Sequence, residues 1–302
     1  MKVLVTGASG QLGADLVMAL RGELPPGGVR RSLMGPDGPS FSDLDVVGAT
    51  HSQLPVESRS HVGQLFDEFE PELVFHCGAY TAVDACESDE ARAYGINAIG
   101  TRNIAEASRR VGAHLVYIST DYVFDGTKGS AYREWDDPNP MSVYGRSKLA
   151  GERECPPDAT IVRTSWVAGA QGANMVKTAL RLAAGEGPLR FVSDQHGSPT
   201  FCADLAAALV TLGTNKMPGI FHVTNAGATT WFGFVQKVLS LAGADPSRVH
   251  PIHTDELDPP RPAPRPANSI LENAALSLLG LGLLPEWEDG LTRLVRALGA
   301  AK

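Results

Sequence analysis

Through the first half of the chain, short apolar runs alternate with segments whose apolar residues recur at helical spacing. KVLVTG (2–7) precedes QLGADLVMALRG, LDVVGAT (44–50) precedes SRSHVGQLFDEFE, and ELVFHCGA (72–79) precedes DEARAYGINAIGTRNIAEASRRV. HLVYIST (114–120) then leads through a loop to GRSKLAGERE. Strands alternating with helices of this length predict an α/β fold, a parallel sheet covered on both faces. TIVRTSWVAG (160–169) and GIFHVTNAG (219–227) read as further strands of the same sheet, so the chain leaves that layer and returns to it. The pattern predicts a first domain over 1–167 with a return strand near 219–227. Residues 168–218 and 228–302 then form a smaller lobe.

Two segments break the pattern. Nine of the 21 residues from 22 to 42, GELPPGGVRRSLMGPDGPSFS, are Gly or Pro, which predicts a surface excursion without regular structure. DELDPPRPAPRPANS (255–269) reads as a proline-stiffened crossing, followed by the amphipathic ALSLLGLGLLPEWEDGLTRLVRAL.

Composition narrows the class. The chain has 302 residues, 43% of them hydrophobic, and a formal net charge of −8 with no basic run beyond VRRS (29–32). Nucleic acid is not an expected partner. Four dispersed cysteines, Cys77, Cys86, Cys155 and Cys202, suit reduced thiols in a cytoplasm better than a disulfide framework. No stretch has the ~20 apolar residues of a membrane span. His250 and His253 lack carboxylate companions at ligand spacing, so no metal site is expected.

The chemistry begins at TGASGQLG (6–13), between the first strand and the first helix. Gly7 allows a tight turn, Gly10 allows backbone to approach a pyrophosphate, and Gly13 lets the helix lie close on the sheet, with free N–H groups facing the phosphates. This context predicts a Rossmann-type, doubly wound dinucleotide domain. The second strand ends GATHS, with no acid to repel a 2′-phosphate. NADPH is therefore favoured, with NADH usable.

SVYGRSKLAGE (142–152) puts Tyr144 and Lys148 one helical turn apart. A phenol with an ordinary pKa near 10 is a poor acid at neutral pH. An ammonium beside it, together with an oxidised nicotinamide ring, is expected to lower that value. Tyr144 would protonate a carbonyl oxygen as hydride reaches its carbon, Lys148 would also hold the nicotinamide ribose, and Thr120 would orient the carbonyl.

Together these features resemble the extended short-chain dehydrogenase/reductases. AYTAVDACESD (79–89), STDYVFDGTKG (119–129), PNPMSVYGRSKLAGE (138–152), VRTSWVAG (162–169), DQHGSPT (194–200) and RPANSILEN (265–273) are similar to blocks of the dTDP-4-dehydrorhamnose reductases. The resemblance covers nearly the whole chain apart from the 22–42 link. It implies reduction of the C4 ketone of a dTDP-4-dehydro-6-deoxyhexose by a cytoplasmic monomer or homodimer. It also implies catalytic roles for Thr120, Tyr144 and Lys148, and a cofactor loop at Gly10, Gln11 and Leu12. Cofactor-lining positions fall on Gly78, Ala79, Tyr80 and Ile118, with His51, Pro55 and Val56 near the adenosine end. Asp121 and Trp166 match sugar-nucleotide positions, with Tyr122 beside them. Asp121 could equally cap a turn, and Trp166 could be a core aromatic. Arg265 could grip the pyrophosphate or sit in a salt bridge.

Three stretches depart from that family. HCG (76–78) replaces Asn-Ala-Ala, Pro55 stands where an acid approaches adenine, and APRP (263–266) lacks one arginine. A dehydratase on this scaffold would need a second carboxylate where Tyr122 stands. A 4-epimerase, and a non-catalytic NADP-binding subunit like the methionine adenosyltransferase beta subunit, remain as alternatives.

Overall fold

The computed structural model describes residues 1–29, 33 and 44–300. Six strands make the central sheet: β1 (Lys2–Thr6), β2 (Asp45–Ala49), β3 (Leu73–His76), β4 (His114–Thr120), β5 (Thr160–Thr164) and β6 (Gly219–His222). Their spatial order is 2-1-3-4-5-6, and every pairing is parallel. Successive residues in a strand point to opposite faces, and both faces here are apolar. Val3, Val5, Leu73, Phe75 and Val116 pack under α1 (Gln11–Leu20) and α5 (Cys202–Thr214). Leu4, Val74 and Leu115 pack under α2 (Arg59–Phe69) and α3 (Thr101–Val111). The doubly wound, Rossmann-type sheet expected from the alternating pattern is present.

The chain leaves β1 towards β2 on one side and reaches β3 on the other. Such a reversal opens a crevice beyond the carboxyl ends of the strands. The glycine turn after β1 and the segment after β3 lie against each other there: a Cβ on Gly7 would fall 2.7 Å from Gly78 N.

A separate apolar core joins helices Met175–Ala183, Trp231–Leu241 and Trp287–Ala297 around Phe201, Phe234, Val238 and Leu291. It carries short ladders: 189–192 with 249–252, 196–197 with 229–230, and 167–168 with 200–201.

Several elements differ from the sequence reading. The strand expected over 160–169 stops at Thr164, because Trp166 adopts a positive φ of 47° and turns the chain into the 167–168 ladder. The long helix expected over 89–111 breaks into Glu90–Tyr94, a π-helical turn Gly95–Gly100, and α3. The C-terminal amphipathic run divides into Ala274–Leu278 and Trp287–Ala297. His250 lies on strand Val249–Ile252, and His253 Nδ1 stands 3.7 Å from Asp194, a companion that lies far away in sequence. Most of the 22–42 link, including Arg30–Ser32 of its basic run, lies outside the described residues. Its described Leu33 is buried in the sheet core and accepts a 2.7 Å hydrogen bond from the Gly282 N–H. No helix among the described residues is long and apolar enough to cross a membrane.

Candidate active site

Beyond β1, Gly7 adopts φ 68° and the chain enters α1 through Gly10, whose carbonyl accepts from Ala14 N at 3.0 Å. No side chain caps this helix, which leaves the first N–H groups as free donors at its positive end. Gly13 serves the turn more than the sheet, a correction to the expected role. A Cβ there would fall 2.3 Å from the Gly7 carbonyl oxygen. The Gln11 side chain points elsewhere: its Oε1 accepts from Gly169 N at 3.1 Å and Asn174 Nδ2 at 2.8 Å, tying the turn to the segment after β5. Glycine backbone and uncapped donors fit a dinucleotide pyrophosphate.

The adjacent wall is pinned from below. Gly78 N–H donates to Thr6 Oγ1 (3.2 Å), which lies 2.7 Å from His76 Nδ1. His76 Nε2 lies 3.2 Å from Thr101 Oγ1, which donates to the Asn97 carbonyl at 2.7 Å. Burial lowers the His76 pKa to about 3, so the ring is neutral. The HCG departure thus supplies a structural pin. Asn97, in the π-helical turn, accepts from Tyr80 N (2.8 Å) and donates to Tyr80 O (3.1 Å) and Ser147 Oγ (2.9 Å).

Tyr144 and Lys148 project from α4 (Val143–Glu154), capped by Ser142 Oγ, which accepts from Gly145 N at 3.1 Å. The helix lies close to the loop after β4: a Cβ on Gly145 would fall 2.1 Å from the Tyr122 carbonyl oxygen. Glu152, two turns past Tyr144, accepts Arg163 Nε and Nη2 at 2.9 and 2.7 Å, and Ser119 Oγ at 2.5 Å. This buried cluster holds the helix against β4 and β5. Gly7, Gly10, Ile118, Thr120, Tyr144 and Lys148 line one cavity of about 430 Å³. A groove of about 510 Å³ between α2 and α3, lined by Arg59, Arg109 and Arg110, contains none of the expected residues.

The electrostatics revise one expectation. Burial pushes the Tyr144 phenol well above its ordinary pKa, with the Thr120 side chain pulling the other way. Lys148 Nζ donates to the Ile118 carbonyl at 2.6 Å and sits 4.1 Å from the Tyr117 ring centroid. Its pKa falls to about 8 by burial, opposed by Glu152. At Tyr144 burial outweighs the neighbouring ammonium, so the phenol pKa rises instead of falling.

Asp121 and Tyr122 also line the cavity, with Trp166 and Leu12. Thr120 Oγ1 donates to Asp121 Oδ1 at 3.0 Å, while Asp121 Oδ2 is buried without a partner. Burial raises this carboxyl to about 6. Tyr122 meets Tyr144 edge to face, centroids 5.6 Å apart, and its own phenol is pushed up by burial to about 12. Ala79 is at the cavity wall, whereas Tyr80 is bound through its backbone to Asn97 and carries Arg92 4.7 Å from its ring centroid.

Gly78 and Tyr80 are not part of the cavity lining, and neither are four further expected residues. Arg265 pairs bidentately with Asp84, Nη2 to Oδ2 at 2.8 Å, and that bond holds the Asp84 carboxyl below its ordinary range. His51 and Pro55 lie past β2, outside the cavity lining, and His51 Nε2 is 3.6 Å from Glu57. Val56 is buried in the core under α2 and α3, its carbonyl accepting from Asn103 Nδ2 at 2.9 Å.

Sequence reasoning missed Asn97, Thr164 and Trp231. Thr164 Oγ1 is buried at the cavity wall without a partner, and the Trp231 ring stacks on Trp166. A buried-looking Asn inside the apolar GINAIG, and a Trp directly after the TT cap, were the available signals.

The family model described as RmlD substrate binding domain matches residues 1–299. The chain is 41% identical over 304 residues to a dTDP-4-dehydrorhamnose reductase of Streptomyces griseus, covering 98% of this chain and 93% of that one. It is 36% identical over 301 residues to a dTDP-4-keto-6-deoxy-D-glucose reductase of Streptomyces niveus, covering 98% and 97%. A crystal structure of dTDP-4-dehydrorhamnose reductase from Bacillus anthracis in complex with NADP superposes with a TM-score of 0.86 at 39% identity, covering 98% of each chain.

Proposed function

The chain belongs to the RmlD substrate binding domain family, and from that membership we propose that it is an NADPH-dependent reductase of the C4 ketone of a dTDP-4-dehydro-6-deoxyhexose. The substrate we favour is dTDP-4-dehydro-L-rhamnose, giving dTDP-L-rhamnose. One observation carries the reading: Thr120, Tyr144 and Lys148 share a cavity with an uncapped glycine turn. NADPH, when bound, supplies the hydride.

The residues divide the remaining work. The N–H groups of Gln11 and Leu12 and the turn at Gly7 and Gly10 receive the pyrophosphate. Ala79 and Ile118 flank the dinucleotide, and Gly78 and Tyr80 set the wall behind it. Thr120 donates a hydrogen bond to the C4 oxygen, and Tyr144 delivers the proton to that oxygen as the carbonyl carbon is reduced. Burial makes the Tyr144 phenol a weaker acid than usual, and the proton passes because the alkoxide forming at C4 is a stronger base than the phenolate. Lys148 holds the nicotinamide ribose, and its positive charge favours the phenolate left after transfer. Asp121, with one free carboxyl oxygen, accepts from a sugar hydroxyl. Trp166 and Tyr122 close the sugar side, and Arg265, once released from Asp84, takes a diphosphate oxygen. His51 and Pro55 border the adenosine end, with Val56 supporting them from the core. The segments 168–218 and 228–302 act as the substrate lobe. The four dispersed cysteines suit a cytoplasmic enzyme, acting as a monomer or homodimer.

The test is NADPH consumption by the purified protein with dTDP-4-dehydro-6-deoxyhexose, with the product identified by mass and NMR. Consumption with a reduced C4 is expected. Cofactor binding without consumption would instead support a regulatory subunit, and interconversion of C4 epimers without net consumption would support an epimerase.

A further inference from the structure

Trp166 holds a left-handed backbone, φ 47°, where a bulky residue is uncommon and must be held by its surroundings. Its indole lies parallel to that of Trp231, with centroids 3.6 Å and planes 6° apart. Gly197 lies against the same indole: a Cβ there would fall 2.4 Å from Trp166 Cε2. Phe234 abuts both rings edge-on, at 87°.

Trp231 is fixed independently. It is the first residue of helix Trp231–Leu241, whose cap Thr230 accepts from Gly233 N at 3.1 Å. The preceding strand 229–230 pairs with 196–197, which places Gly197 in the same cluster. Both indoles line the cavity that contains Tyr144 and Lys148.

We propose that Trp231 is a positioning residue for the sugar. It clamps Trp166 in its left-handed conformation, and the two indoles form a rigid apolar wall that seats the deoxygenated side of the hexose so that C4 meets Tyr144. The proposal rests on the reading that this cavity takes a keto-deoxyhexose. Pairs of aromatic rings and the burial of an apolar group are each strong enough to alter binding severalfold or more.

The full-length protein, its four tryptophans replaced by 5-fluorotryptophan, is compared with Trp231→Ala and Trp231→Phe. The Trp166 fluorine resonance is assigned by its disappearance in Trp166→Phe. In the otherwise native protein that resonance is expected to shift on adding the dTDP-sugar product, and much less on adding dTDP alone. In Trp231→Ala the resonance moves through loss of the stacked ring, KM for the keto sugar rises about tenfold, and NADPH affinity is unchanged. Trp231→Phe, which keeps an aromatic ring, recovers most of the KM. A native KM in Trp231→Ala with the resonance moved would overturn the proposal. So would a Trp166 resonance indifferent to the sugar product, a result that needs no variant to fold. Absence of turnover by the native protein refutes the reading of the cavity itself, whereas native turnover with an unaltered KM in Trp231→Ala refutes only the part assigned to Trp231.

Discussion

Lys148 donates to a backbone carbonyl and lies over the Tyr117 ring, so its charge is held by neutral groups in a buried place. With its pKa at about 8, the amine is mostly protonated at neutral pH. The account predicts that kcat/KM, which reports ionisations of the free enzyme, falls as pH rises through about 8, when Lys148 loses its proton. A profile flat through that region would contradict the role of the ammonium. Asp15 on α1 is fully buried, neither carboxyl oxygen has a partner, and burial raises its pKa from 3.8 to about 6. The folded state therefore holds this proton more tightly than the unfolded chain. The associated stability is complete below pH 3.8 and is lost as pH rises through about 6. Asp15→Asn should remove that pH dependence and raise alkaline stability by about 3 kcal/mol, measured by denaturant unfolding across pH. Tyr144, Lys148 and Thr120 were legible because their spacing or strand-end position carries their chemistry. Asp15 was not, since the apolar surroundings that strand it include Cys202 and Gly169, over 150 residues away.

Elements are shaped by the same local chemistry where backbone meets backbone. Gly13 faces the Gly7 carbonyl, whereas a methyl group at Gly63 in α2 would meet nothing within 4 Å. Gly13→Ala should weaken NADPH binding by about tenfold or more, because the turn must open to admit the methyl. Gly63→Ala should leave binding unchanged and stabilise the protein by about 0.5–1 kcal/mol. Calorimetric NADPH titration and denaturant unfolding check the two halves of this contrast. The strand–helix alternation and the return of β6 could be read from the chain. Two breaks could not: the π-helical turn at Asn97 depends on Tyr80 and Ser147, and the end of β5 depends on the Trp166 clamp. Both are set by partners far away in sequence, which override local propensity.

The molecule is held together across its two apolar layers by buried polar ties. Arg293 on helix Trp287–Ala297 pairs with Asp204 on α5 at 2.7 Å, and Asn225 Nδ2 donates to the same carboxylate at 2.8 Å. Without Asp204, Arg293 keeps Asp289 at 3.0 Å and Asn225 loses one of its acceptors. Asp204→Ala should therefore cost about 1–3 kcal/mol in denaturant unfolding. The native protein should unfold in a single transition by both far-UV dichroism and tryptophan fluorescence, since sheet and outer core share this tie. The doubly wound parallel sheet was anticipated from the pattern of runs and the glycine turn. The register between its strands was not, because parallel pairing leaves no mark in a single strand. Arg265 was left open in sequence between a pyrophosphate contact and a salt bridge, because its partner here, Asp84, lies 181 residues away. In the proposed function this architecture brings the Tyr144 phenol to one carbonyl oxygen. Tyr144→Phe tests that claim most directly, with NADPH affinity and single-turnover reduction of the keto sugar measured on the same preparation. The account predicts native cofactor affinity with reduction slowed by about 10²–10⁴-fold; reduction at close to the native rate would contradict it.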